Sequence, residues 1–254
     1  MRQQAGADYE LAGGQVHIWL LELKAPVDPT VRTRYVSVLD AQELTRLGRF
    51  AFQHLRDEYL VSHALTRLIL SGYERMPAGA LTMVRNAYGR PELSTGRIGL
   101  RFNLSHAAGL AALAVTQAVD IGVDLEREDR AVETMGIARH YFAPAETDWL
   151  SRQPQDRQKR TFLEQWTLKE AYVKARGLGL NLELNQFAID LADQEAPTIV
   201  FPDGFDDPAE WQLSVCQPTE NYVLGLAVRR LAAMRGPVAL LDATKSLNAL
   251  QALT

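Results

Sequence analysis

Residues 119–126, VDIGVDLE, alternate without a break: Val119, Ile121, Val123 and Leu125 fall on one side, and Asp120, Gly122, Asp124 and Glu126 on the other. A repeat of two is a strand's period and excludes a helix. The apolar side requires a core to cover it. The other side is unusual, because Asp and Glu are poor strand formers. Asp124 and Glu126 would have Cα atoms roughly 6.5 to 7 Å apart at a rise of about 3.3 Å per residue. Both carboxylates could then reach one hard cation, and Mg²⁺ typically takes one or two carboxylates and completes its octahedron with water and phosphate oxygens. On these residues alone two readings stand: the solvated face of an antiparallel sheet, or half of a metal site.

A second segment bears on the choice. Residues 158–175 predict a strong helix whose core stripe runs Leu163, Trp166, position 170 and Val173, the three- and four-residue steps of a buried face. Position 170 is Glu170, and a carboxylate on a core stripe is costly unless it is paired, hydrogen-bonded or bound to metal. Lys174 follows four residues later. The pair is either an ordinary surface contact, worth about 0.2–0.5 kcal/mol, or a third carboxylate for the Asp124–Glu126 site with a cation beside it. Asn103, Ser105 and His106 end a further strand, RFNLSH. Neighbours on a strand point to opposite faces, so Ser105 and His106 make a poor nucleophile–base pair. No G-x-S-x-G elbow is present, and binding phosphate is the better use of this hydroxyl and imidazole.

The remaining pattern predicts a strand at 16–23, an amphipathic stretch from Asp40 through Leu55, and a helix from Asp57 to about Ser71 capped by Gly72. Loops and short strands follow over 73–100, helices at about 131–141 and 145–152, strands in WQLSVC and YVLGLAVR, and a tail at 231–254 with a helix from Ala243 onward. The formal charge of −4 argues against a general nucleic-acid binder. Cys216 is the sole cysteine, so no intrachain disulfide forms; no apolar stretch is long enough to span a bilayer, and no signal peptide is evident. A cytoplasmic, membrane-free location is expected.

Taken in order, YGRPEL (88–93), FNLSH (102–106), IGVDLE (121–126), HYFAPAE (140–146) and WTLKEAYVKARGLGL (166–180) resemble the Sfp-type 4′-phosphopantetheinyl transferases, over about residues 16–230. The resemblance implies an α+β fold of two similar α/β lobes in one chain, a pseudo-dimer with the active-site cleft between them. The lobes would be 1–117 and 118–230, the second carrying the metal ligands, followed by the tail 231–254. It implies transfer of the 4′-phosphopantetheine arm of coenzyme A to a serine of an apo acyl or peptidyl carrier protein, releasing adenosine 3′,5′-bisphosphate.

Position by position, the resemblance implies Asp124, Glu126 and Glu170 as Mg²⁺ ligands, with Glu170 also the candidate general base. Lys174 would stabilise or protonate the departing phosphate. Ser105, His106, Arg90 and Arg46 would contact coenzyme A, with Arg49 and Arg85 in reserve. Ala107 stands where the family often has a second serine, and Glu43 where its early helix often carries a lysine, which bears on the contacts at the adenine end. Another Mg²⁺-dependent phosphotransferase or phosphodiesterase using the same carboxylates is the alternative. A single chain that completes its own cleft implies a monomer, and residues 127–139 are the candidate surface for an acidic carrier.

Overall fold

Residues 9–23, 26–94, 96–193, 196–230 and 238–243 are described by the structure, a computed structural model. Beyond Ala243 itself, the helix expected from that residue onward lies outside them. The fold is mixed α/β. Its strands are β1 (Val16–Glu22), β2 (Met83–Arg85), β3 (Pro91–Leu93), β4 (Leu100–Ala107), β5 (Leu110–Gln117), β6 (Ile121–Arg127), β7 (Ala188–Asp190), β8 (Thr198–Val200), β9 (Trp211–Cys216), β10 (Tyr222–Arg229) and β11 (Val238–Asp242). Its helices are α1 (Pro29–Val38), α2 (Ala41–Leu47), α3 (Gln53–Glu74), α4 (Thr134–Tyr141), α5 (Pro144–Ser151) and α6 (Gln155–Arg176).

A four-stranded sheet runs β11-β1-β5-β4 and a three-stranded sheet runs β6-β10-β9. Tight connections make β4–β5 antiparallel, Ser105 opposite Ala112. In the second sheet Asp124 lies opposite Gly225. Part of the tail returns to the first sheet: β11 pairs parallel with β1, Val16 against Val238. Each sheet carries one 22-residue helix, α3 on the first and α6 on the second.

The alternation of β6 is realised as expected on its apolar side. Ile121, Val123 and Leu125 join Leu224 and Leu226 in packing against Ile18, Ala112 and Ala114, which fuses the two sheets through one core. The acidic side is not an open solvated face: Asp124 is buried, and Asp120 and Glu126 are only partly exposed. A Cβ at Gly122 would sit 2.0 Å from Ala171 O, and one at Gly225 would sit 2.6 Å from Thr167 O. These two bare positions let α6 lie directly on the backbone of β6 and β10. Helix α6 is therefore covered on more than one side, with Phe162, Leu168, Lys169, Tyr172 and Ala175 buried in addition to Leu163 and Val173.

Several expectations shift. The stretch from Asp40 is not one helix: α2 ends at Gly48, and Leu44 and Leu55 are exposed. Gly72 does not cap α3; it lies inside the helix because the ring of Tyr9 packs where a side chain would be, and Arg75 caps it at φ 52°. Pro29 opens α1 at its first position behind the Asp28 N-cap, where a missing N–H costs nothing.

Candidate functional site

Asp124 is the centre of the site. It is buried, and its Oδ1 accepts from Lys174 Nζ at 2.5 Å and from Ser105 Oγ at 2.9 Å. Lys174 Nζ also donates to Ser105 Oγ (3.0 Å) and Val123 O (3.3 Å). Ser105 can reach β6 because β4 runs beside it: Asn103 Oδ1, two residues earlier on the same face, accepts the Val123 N–H at 2.9 Å. These side chains take the place of a backbone ladder between β4 and β6. Oδ2 of Asp124 is buried and has no hydrogen-bond partner, a costly arrangement for an ionised carboxylate.

Glu126 follows on the same face of β6, and Glu170 reaches the face from α6. The carboxyl of Glu126 is pushed up by burial first and by Asp124 second, with Arg130, Lys174 and a hydrogen bond from Trp166 opposing. That of Glu170 is pushed up by burial, then by Asp124 and Glu126, against Lys174. Three acids thus repel one another around a single lysine. Among the described residues no group of three or more His, Cys, Asp or Glu side chains forms a ready metal cage. The chemistry nevertheless fits a hard dication: an orphaned carboxylate oxygen, two further carboxylates short of positive charge, and oxygen donors only.

Glu170 and Lys174 line a cavity of about 760 Å³ together with Asn103, Leu104, Tyr88 and Arg90. A second cavity of about 370 Å³ lies along Glu126, Arg130, Ile137 and Leu163. Trp166 and Tyr141 line both and form the wall between them.

The resemblance-derived residues do not all converge. Asp124, Glu126, Glu170, Lys174 and Ser105 come together. His106, on the opposite side of β4 from Ser105, is exposed; its imidazole is pushed down by partial burial, with Glu58 opposing and Lys174, His63 and Arg46 adding to the fall. Arg46 lies apart, in a cavity of about 670 Å³ that it shares with Arg49 and Arg85. The fully buried Arg67 holds α2 there by donating to Glu43 (2.6 Å), Leu81 O (2.9 Å) and Asp40. Arg90 lines the large cavity, yet its guanidinium is turned onto protein groups: Ala175 O at 2.6 Å and Glu92 Oε1 at 2.8 and 3.0 Å. Sequence reasoning did not single out Asn103 as a structural acceptor or Tyr141 as a wall; neither carries a pattern, and only the approach of β4 to β6 and of α4 to α6 reveals them.

Two family models match the chain: the 4′-phosphopantetheinyl transferase superfamily over residues 120–227 and the 4′-phosphopantetheinyl transferase N-terminal model over residues 27–118. The chain is 31% identical to the 4′-phosphopantetheinyl transferase HetI of Nostoc sp., over 86% of this chain and 89% of that one. It is 27% identical to a 4′-phosphopantetheinyl transferase of Bacillus subtilis, over 84% and 96%. With the L-aminoadipate-semialdehyde dehydrogenase-phosphopantetheinyl transferase of Homo sapiens it shares 24% identity over 77% and 68%. On these matches, the chain belongs to the 4′-phosphopantetheinyl transferase superfamily.

Proposed function

We propose that this phosphopantetheinyl transferase moves the 4′-phosphopantetheine arm of coenzyme A onto a serine of an apo carrier protein and releases adenosine 3′,5′-bisphosphate. The observation that carries the reading is the buried, unpartnered Oδ2 of Asp124 at the meeting point of Glu126, Glu170 and Lys174. Asp124, Glu126 and Glu170 would hold Mg²⁺, which would neutralise pyrophosphate charge and align it for attack.

The chain's own groups account for the rest. Glu170, whose carboxyl already has a raised proton affinity, takes the proton of the attacking serine hydroxyl, directly or through a water. A new bond forms between the serine oxygen and the β-phosphorus, and the bond from that phosphorus to the bridging oxygen breaks. Lys174 sits beside Glu170 and meets the charge left on the departing phosphate. Ser105 and His106 flank the coenzyme phosphates. Arg46, with Arg49 and Arg85, supplies positive charge for the phosphate at the far end. The pantetheine arm fits the larger, mainly apolar cavity, which Glu170 and Lys174 line.

The two sheets with one long helix each support two similar lobes, 1–117 and 118–230, closing on a cleft within a single chain, and hence a monomer. Incubation with coenzyme A and Mg²⁺ and a panel of apo fatty-acid, polyketide and nonribosomal-peptide carriers tests the reading by intact mass. Addition of one phosphopantetheine to at least one carrier is expected. No gain on any carrier, together with no coenzyme A binding, would overturn it.

A further inference from the structure

We infer that Arg90 is a positioning residue that caps the C-terminal turn of α6 from the other half of the chain and so fixes Lys174 against Asp124. The last carbonyls of a helix lack N–H partners and carry the negative end of its dipole. In α6, Gly177 N closes on Val173 O and Lys174 O, both at 3.1 Å. The next groups are served from the β2–β3 hairpin: Arg90 Nη1 donates to Ala175 O at 2.6 Å, and Asn86 Nδ2 donates to Gly177 O at 3.0 Å.

The hairpin is built for this. Asn86 Oδ1 accepts from Tyr88 N (2.9 Å) and Arg90 N (3.0 Å), which fixes the turn that aims both side chains. Arg90 Nε and Nη2 are held by Glu92 Oε1, and Asp120, next to β6, lies 3.5 Å from Nη2. Arg101 steadies Glu92 from β4 at 3.3 Å. Gly177 completes the fit. It adopts φ 63°, and a Cβ there would stand 2.8 Å from the guanidinium carbon of Arg90.

Ala175 directly follows Lys174, so a helix end that frays at 175–177 releases the lysine from Asp124 and Ser105. The same hairpin lines the large cavity through Tyr88, Gly89 and Pro91. All three guanidinium nitrogens have protein acceptors, which distinguishes Arg90 from a residue whose task is to hold a coenzyme phosphate. The rigid plane of the guanidinium spreads its donors over separate nitrogens, so Nη1 reaches Ala175 O while Nε and Nη2 hold Glu92 Oε1; a lysine, whose donors share one nitrogen on a flexible stem, does not reproduce that spread.

The inference rests on the transfer reading for its kinetic arm only. Arg90→Lys, Arg90→Ala, Asn86→Ala and the double variant are compared with the unaltered chain for kcat, KM for coenzyme A, and amide exchange at 175–179 without coenzyme. Arg90→Lys and Arg90→Ala should both lower kcat by about 10- to 100-fold and change KM by less than about 3-fold. Asn86→Ala should shift kcat the same way, and the double variant should lose less than the product of the singles. Exchange at 175–179 should quicken in each. Wild-type kcat in Arg90→Lys, an Arg90→Ala effect confined to KM, or unchanged exchange in the Arg90 variants would each overturn the inference. Should the unaltered chain transfer nothing, the transfer reading fails and the exchange measurement alone decides the capping role.

Discussion

At the scale of single residues, the site holds more negative charge than its one lysine can balance. Glu126 and Glu170 both have proton affinities raised above the ordinary carboxylate value of 4.5. A group whose folded pKa lies above its unfolded one stabilises the fold below the unfolded value, and that contribution is lost as pH rises through the folded value. The metal-free protein should therefore lose stability from about pH 4.5 upward as these two groups ionise. Glu170→Gln removes one of them. In EDTA at pH 7 it should melt above the wild type, while transfer falls on the order of 10²-fold or more. Mg²⁺ should raise the melting temperature of the wild type more than that of the variant. A variant that melts below the wild type in EDTA would contradict this account.

At the scale of elements, the site exists because one helix lies on one strand. Gly122 permits the approach: its missing side chain is occupied by Ala171 O and Ala175 N. Gly122→Ala forces α6 away and carries Glu170 and Lys174 with it, so it should cost about 1–3 kcal/mol or more of stability and lower kcat in the same variant, read by urea unfolding and by transfer rate. This contact also marks the limit of what the sequence discloses. The period of two in VDIGVDLE gives β6 and its apolar face correctly, and the four-residue step from Glu170 to Lys174 places both on one side of α6. What covers the acidic face is not written in either segment; it follows from a glycine on β6 meeting a backbone on α6, a pairing between positions about fifty residues apart. For the same reason Arg90 reads from its motif as a coenzyme contact, whereas its acceptors on α6 emerge only when the two halves are assembled. The amphipathic stretch from Asp40 does not run on as one helix for a local reason: Asp40 and Glu43 form a capping box at the start of α2, but Gly48 ends it after two turns.

At the scale of the whole molecule, the two sheets share one core, and the site lies where β4 of the first meets β6 of the second. No helix among the described residues is long and apolar enough to cross a membrane. The chain is acidic overall at −4, so an acidic carrier needs a local exception. Arg130 and Arg139 are exposed; Arg130 lines the smaller cavity within 3.9 Å of Glu126, and Arg139 lies in the last turn of α4. Arg130→Glu or Arg139→Glu should raise KM for the carrier about 3- to 10-fold and weaken its salt dependence, with coenzyme A affinity unchanged by calorimetry. Unaltered carrier KM in both variants would remove this patch from consideration. The parallel pairing of Val16 with Val238 has a further consequence, in the order of synthesis. β1 acquires its outer neighbour β11 only after more than two hundred further residues have left the ribosome. Until then β1 presents an open edge, a template for pairing with other chains, so the nascent first half is the stage at which this protein is most exposed to aggregation and to the attention of chaperones.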